Sequence, residues 1–227
     1  MENYTLPDFN IDFGNFDPRE ITSDETINAV LVVDVSPSIS SYVKEMNAAF
    51  TEFLEEMQRS HVAEKLMVSI VEFNDSVNVR NGFQPIEALK PDKIKFKPCG
   101  IGTALYDAVF SSVENAVNYR TNLENSGVNC KTLVFVITDG QDNYSKIDAK
   151  NVKRRFSAIE ANESSAFSFE TILFGVGNDA DFEMAQKEMG IKHLAKIGNT
   201  AKEIRKMIGF ISASISQSSV ANAAISF

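Results

Sequence analysis

The sequence predicts an α/β protein of three layers, with helices on both faces of a mostly parallel, doubly wound sheet that carries one antiparallel edge strand. Three observations lead there. The segments AVLVVD, ending at Asp34, TLVFVITD, ending at Asp139, and FETILFGVG, from Phe169, are nearly continuous apolar runs of strand length, as strands buried on both faces are. The segments between them place apolar residues three and four apart, the period of an amphipathic helix. The two kinds alternate through short connections, the order that builds a parallel sheet between layers of helices.

In chain order, residues 1–26 are polar and acidic, punctuated by Asn, Asp, Gly and Pro, with Phe9, Phe13 and Phe16 spaced through them. They read as an extended N-terminal arm whose aromatics dock on their own domain or on a partner. The domain proper spans 27–217. After the first strand, Tyr42, Val43, Met46, Ala49, Phe50, Phe53, Leu54 and Met57 mark a helix over about 39–60. KLMVSIVEFND and the alternating SVNVRNGF, joined at Asn74-Asp75-Ser76, read as a hairpin at one sheet edge. Residues 94–98 have no clear pattern. A helix follows Thr103, with Leu105, Ala108, Val109, Val113, Ala116 and Val117 on one face. A polar helix over about 148–161, the strand from Phe169, a short helix Ala180–Met189, a weak strand in KHLAKIG and a last helix Thr200–Ser216 complete the pattern. Residues 218–227 are a small, polar tail. There is no internal repeat and no second domain.

Composition narrows the function. The chain has 227 residues, 44% of them apolar, enough for one sizeable core. Its formal charge is −9 and its pI about 4.8. Nucleic-acid affinity comes mostly from Lys and Arg, so this balance argues against a nucleic-acid partner and against an anionic membrane surface. No apolar run approaches the roughly 20 residues of a membrane span, and MENYTLPDFN has neither the basic start nor the apolar stretch of a signal peptide. Cys99 and Cys130 read as free thiols in a reducing compartment. The expectation is a cytoplasmic protein.

The right-handed crossover rule brings the C-terminal ends of parallel strands to one edge, where open α/β sheets bind ligands. Five oxygen-bearing residues are predicted at that edge: Asp34, Ser36 and Ser38 in LVVDVSPSIS, Thr103 in GIGTALYDAV, and Asp139 in VFVITDGQDN. Carboxylates and hydroxyls are hard ligands that suit Mg²⁺, Mn²⁺ or Ca²⁺ rather than zinc. Each element alone also fits a structural role: Ser36, Ser38 and Thr103 as helix caps, Asp139-Gly140 as a turn. Enzyme motifs are missing. There is no Gly-x-Ser-x-Gly elbow and no Gly-x-x-x-x-Gly-Lys-Ser/Thr loop, Gly175-Val176-Gly177 lacks the third glycine of a dinucleotide loop, and neither His61 nor His193 adjoins a nucleophile. Mg²⁺-assisted hydrolysis is the enzyme class left open, with Asp142 or Asp107 as base.

Asp34-x-Ser36-x-Ser38, Gly102-Thr103 and Thr138-Asp139-Gly140 resemble the three motif segments of the von Willebrand factor A (VWA) family, with its metal-ion-dependent adhesion site (MIDAS), in family order over roughly residues 27–217. GVGND is similar to the family's late strand and loop. Among subgroups, the chain resembles stand-alone bacterial intracellular A domains, including the tellurium-resistance type. The resemblance implies a VWA/Rossmann-like fold and a metal that is usually Mg²⁺. It implies direct ligation by Ser36 and Ser38, and ligation by Thr103, Asp34 and Asp139 directly or through water. One position is then left for an Asp or Glu of a protein partner. The sequence departs from the pattern at Gly100-Ile101-Gly102, where the family often has two adjacent glycines; Ile101 is expected to shape the rim. Asp142, Asn143 and Asp107 are candidates for supporting contacts. The expected function is a metal-dependent protein–protein interaction module, not an enzyme. The alternative is a regulatory or scaffold subunit of an ATPase, stress-response or phage-related assembly, with contacts through the arm or the last helix.

Overall fold

The computed structural model describes residues 11–162, 169–178 and 180–218. Phe9, and nearly all of the polar tail, lie outside them. Two strands form the centre of the sheet, β1 (Glu25–Asp34) and β4 (Asn129–Thr138). Beside β1 lie β2 (Leu66–Phe73) and β3 (Val77–Pro85), and beside β4 lie β5 (Phe169–Val176) and β6 (His193–Ile197). The order is β3-β2-β1-β4-β5-β6, parallel except for the antiparallel β2–β3 hairpin at one edge.

Among the described residues, five α-helices cover the sheet: α1 (Val43–Gln58), α2 (Leu105–Asn125), α3 (Ala149–Glu160), α4 (Phe182–Met189) and α5 (Ala201–Gln217). The strand period of two sorts β1 between the layers. Ile27, Ala29, Leu31 and Val33 pack with α1 and α5, whereas Val30 and Val32 pack with α2, α3 and α4. Each of the Val, Leu and Ile side chains, fully buried, contributes about 1.5–3 kcal/mol of transfer free energy. This explains the unbroken apolar runs in the sequence.

Two local details differ from the simplest reading of the pattern. The helix expected over 39–60 is split into a 3-10 turn at Pro37–Ser41 and α1 from Val43. Segment 94–99 forms no regular element, because its backbone is held by a side chain instead. Asn47 donates from Nδ2 to the Phe96 carbonyl at 2.9 Å and accepts the Phe96 N–H at 2.7 Å. Phe96 is thereby buried, with its ring centroid 4.7 Å from that of Phe50. Residues 13–16 of the arm run along β3. Phe16 N–H donates to the Phe83 carbonyl at 2.7 Å, Phe83 N–H to Asn15 Oδ1 at 2.9 Å, and a Cβ at Gly82 would meet the Phe13 carbonyl at 2.0 Å. The arm therefore covers a sheet edge that would otherwise present unpaired backbone groups.

The chain leaves β1 toward α1 on one face and leaves β4 toward α3 on the other. The loops after two adjacent central strands diverge, and the crevice between them is the switch point of the sheet.

Candidate metal centre

Asp34 is the last residue of β1 and is 1% exposed. A buried carboxylate is costly unless its oxygens are bonded. Here Oδ1 accepts the Ser36 N–H at 2.8 Å and Oδ2 accepts the Thr138 hydroxyl, from the end of β4, at 2.6 Å. Burial raises the Asp34 pKa, hydrogen bonds from Thr138 and Ser36 act against that rise, and the charge of Asp139 adds to it. A site that supplied positive charge beside this pair would relieve the strain of holding two carboxylates together.

The 3-10 turn after Pro37 folds the first loop back on itself. Ser36 stands at its N-cap position but its side chain makes no cap bond. Its hydroxyl instead lies 2.9 Å from the Ser38 hydroxyl, and Ser38 Oγ donates to Asp139 Oδ1 at 2.6 Å, across a sequence separation of 101 residues. Asp139 directly follows β4 and is half-buried. The capping and turn readings of these residues therefore give way to a row of oxygens that joins the two loops.

Thr103 comes from a third segment. Its N–H donates to Asn143 Oδ1 at 2.8 Å, and its carbonyl accepts the N–H groups of Asn143 and Tyr144 at 3.0 and 3.2 Å. The Thr103 hydroxyl faces Gly140, 3.6 Å from where a Cβ on that glycine would lie. Thr103 does not cap α2: the cap position is Ala104, with no side-chain bond. The open N–H groups of that helix are taken by the loop after β4. Asp142 Oδ1 accepts from Tyr106 N–H at 3.2 Å, and Ser145 Oγ accepts from Asp107 N–H at 3.0 Å. Asp107, in turn, accepts the N–H groups of Lys146 and Ile147 at 3.0 Å. Asp107 and Asp142 thus fasten the loop to α2. Burial is the largest effect on the Asp142 pKa and raises it.

The donor set can be tested against a small hard cation. Ligand oxygens about 2.1 Å from Mg²⁺ in an octahedral shell stand about 3.0 Å apart at neighbouring positions. The Ser36–Ser38 spacing of 2.9 Å fits, and the 2.6 Å between Ser38 and Asp139 is a hydrogen bond that can lengthen. Each serine hydroxyl keeps a lone pair beyond the hydrogen bond it makes. Among the described residues, no group of three His, Cys, Asp or Glu side chains is suited to a metal. A cation at this place would therefore rest on two carboxylates, hydroxyls and water, a set suited to Mg²⁺.

The rim is partly apolar. Ile101 is 80% exposed and Tyr144 48%. Gly100 has a φ of +83°, in the left-handed region that favours glycine, and a Cβ at Gly102 would stand 2.6 Å from the Tyr144 ring. Each glycine is thus needed separately, while Ile101, held through its N–H on Asp75 Oδ1 at 3.2 Å, is turned outward. Cys99 and Cys130 are both free thiols. Cys99 is exposed, and its sulfur accepts from Asn74 Nδ2 at 3.2 Å.

Three residues at the site were not singled out from the sequence for what they do. Thr138 bonds Asp34, Ser145 caps α2, and Tyr42 buries its hydroxyl facing Asp139 and Asp34, without a hydrogen bond of regular geometry. Burial first, then the charge of Asp139, raises the Tyr42 pKa far above the usual phenol range. The bonds of Thr138 and Ser145 reach partners 104 and 38 residues away, so no local spacing reveals them.

No protein-family model matches the chain, and no curated relative does. Solved structures do. Proximal thread matrix protein 1 from the mussel byssus superposes with a TM-score of 0.57 at 16% identity, over 84% of this chain and 46% of that one. A crystal form of the same protein with a zinc-occupied MIDAS motif gives 0.56 at 15%, over 84% and 46%. The ArnB paralog VWA2 from Sulfolobus acidocaldarius gives 0.54 at 14%, over 82% and 45%. The fold is that of a VWA domain. This chain spans a little under half the length of the mussel protein (46%) and about a third (31%) of the pilus adhesin SpaC from Lactobacillus rhamnosus GG, which it also resembles in fold, with a TM-score of 0.62 at 11% identity over 85% of this chain.

Proposed function

We propose that this VWA-fold chain is a protein-interaction module in which Asp34, Ser36, Ser38, Thr103 and Asp139 hold a divalent cation, Mg²⁺ in the first place, and an exposed Asp or Glu of a partner completes its shell. The observation that carries the reading is the continuous row Ser36–Ser38–Asp139 at the switch point, with hydroxyl and carboxylate oxygens at ligand-like spacing. When bound, the cation would supply a concentrated positive charge for a partner carboxylate. The chain's residues divide the rest of the work. Ser38, exposed, and Asp139, half-buried, present oxygens at the rim, with the buried Ser36 hydroxyl beside Ser38. Asp34 adds charge from below while Thr138 and the Ser36 backbone fix its orientation. Asn143 and Tyr144 hold Thr103 by its backbone, which leaves its hydroxyl toward Gly140. The zinc form of the mussel protein supports a divalent metal at such a motif and makes Zn²⁺ a competitor to include.

The proposal includes a non-catalytic role and, in keeping with the tellurium-resistance-type resemblance and the free thiols, a cytoplasmic setting. Affinity capture with the full chain tests it. A partner should be retained in Mg²⁺, released by EDTA and lost on Asp139→Asn; retention through chelation would contradict it. Phosphatase and phosphodiesterase assays with Mn²⁺ should show no turnover, and turnover that disappears in Asp139→Asn would make the site catalytic instead.

A further inference from the structure

Beside the candidate metal centre, an open groove of about 620 Å³ runs between the starts of α2 and α3 and one face of α4. Tyr106 and Met184 line it, together with Lys150, Lys153 and Lys187. Met184 is 53% exposed, one of three large exposed apolar side chains among the described residues; the other two, Ile101 and Tyr144, are on the rim of the metal centre. The groove's two carboxylates are engaged. Asp148 accepts from Asn151 N–H and Nδ2, and Glu188 accepts from the Tyr106 hydroxyl at 3.3 Å. The three lysines are exposed and, among the described residues, have no carboxylate within ion-pair distance. On a chain with a net charge of −9, three unpaired lysines around an apolar floor form a local exception.

The groove is tied to the metal centre through the loop after β4 and the start of α2. The loop that begins at Asp139 ends at Asp148 on the groove wall, and Asp142 of that loop bonds the Tyr106 N–H. Thr103 and Tyr106 are three residues apart, so their Cα atoms are separated by at most about 11 Å. An extended peptide advances about 3.3 Å per residue. A segment that placed one carboxylate at the centre would bring residues roughly three to six positions further on into the groove.

We propose that this groove binds an acidic segment of the partner, with carboxylates on Lys150, Lys153 and Lys187 and an apolar side chain against Tyr106 and Met184. The proposal rests on the metal-bridged reading above and adds a second contact along the same peptide. Charge complementarity selects the occupant: the groove's three lysines outnumber its two carboxylates, on a chain whose net charge is −9.

The test uses the full chain and a fluorescein-labelled, glutamate-rich peptide with one central leucine, followed by fluorescence anisotropy in Mg²⁺ and in EDTA. A glutamine counterpart and inorganic triphosphate serve as comparisons. Wild type should bind the glutamate peptide in Mg²⁺ and should retain weaker, salt-sensitive binding in EDTA. The exposed substitutions Lys150→Glu, Lys153→Glu and Lys187→Glu, combined, should lower affinity about tenfold or more in both conditions, with the fold intact by circular dichroism and the Mg²⁺ titration unchanged. Wild-type affinity in the triple variant overturns the proposal. So does the absence of peptide binding by wild type, equal binding of the glutamine peptide, or stronger binding of triphosphate than of the peptide at the same lysines. Equal peptide affinity in Mg²⁺ and EDTA, no Mg²⁺ uptake by wild type, and loss of binding in the triple variant would retire the metal reading and keep the groove.

Discussion

Thr138 shows how much rests on one hydroxyl. It is fully buried and donates to Asp34, itself buried at the end of β1. Thr138→Val keeps the shape and removes the donor, which leaves one carboxylate oxygen short of a partner. The expected loss is about 1–3 kcal/mol in denaturant unfolding, with Thr138→Ser close to wild type; an unchanged midpoint for Thr138→Val would show that Asp34 does not depend on it. The thiols give a second prediction at this scale. Burial pushes the Cys130 thiol up to about 12, whereas Cys99 is exposed. Alkylation at neutral pH, followed by peptide mass spectrometry, should label Cys99 and spare Cys130, because the thiolate is the reactive form. Comparable labelling of both would contradict the burial of Cys130. The oxygen residues themselves were legible as types at strand ends. The bond of Thr138 to Asp34 and the place of Tyr42 were not, because the first joins residues 104 positions apart and the second reads as one more apolar position on a helix.

Among the elements, the loop after β4 and the start of α2 form one unit. Asp142 and Ser145 cap the helix, Asp107 takes two N–H groups of the loop, and Asn143 is paired with Thr103. Removing Asp142 and Ser145 together by alanine should cost about 0.5–2 kcal/mol for each cap lost. Amides of residues 143–147 should then exchange faster, while those in the middle of β4 keep their protection; unchanged exchange in the loop would mean that the caps do not hold it. The strands and helices were readable because apolar runs and helical spacing are local signals. Segment 94–98 was not, since Asn47 fixes Phe96 from 49 residues away. The split of the helix after Pro37 also escaped the periodicity, because Tyr42 and Val43 continue the apolar spacing across the break.

For the molecule as a whole, doubly wound topology places β1 and β4 side by side and sends their loops to opposite faces. That arrangement turns three motifs, spread from residue 34 to residue 139, into one crevice. It also sets the starts of α2 and α3 beside α4, where the lysine groove lies. Metal binding restricted to the folded state should raise stability by RT ln(1 + [L]/Kd), about 2.7 kcal/mol at a hundredfold excess over Kd. A thermal midpoint that climbs with Mg²⁺ and returns in EDTA is the expected result. The charge balance visible in the sequence foretold the acidic surface, but not the groove, since its lysines come from separate helices, α3 and α4.

Calorimetric titration of Mg²⁺ into the full chain, beside the Ser38→Ala and Asp139→Asn variants, tests the central claim most directly. Ser38 is exposed, so its loss should leave the fold intact. The account predicts one-site binding by wild type, clearly weakened in Ser38→Ala and absent in Asp139→Asn. Equal binding by all three proteins, or no uptake of Mg²⁺, Mn²⁺ or Zn²⁺ by wild type, would contradict it.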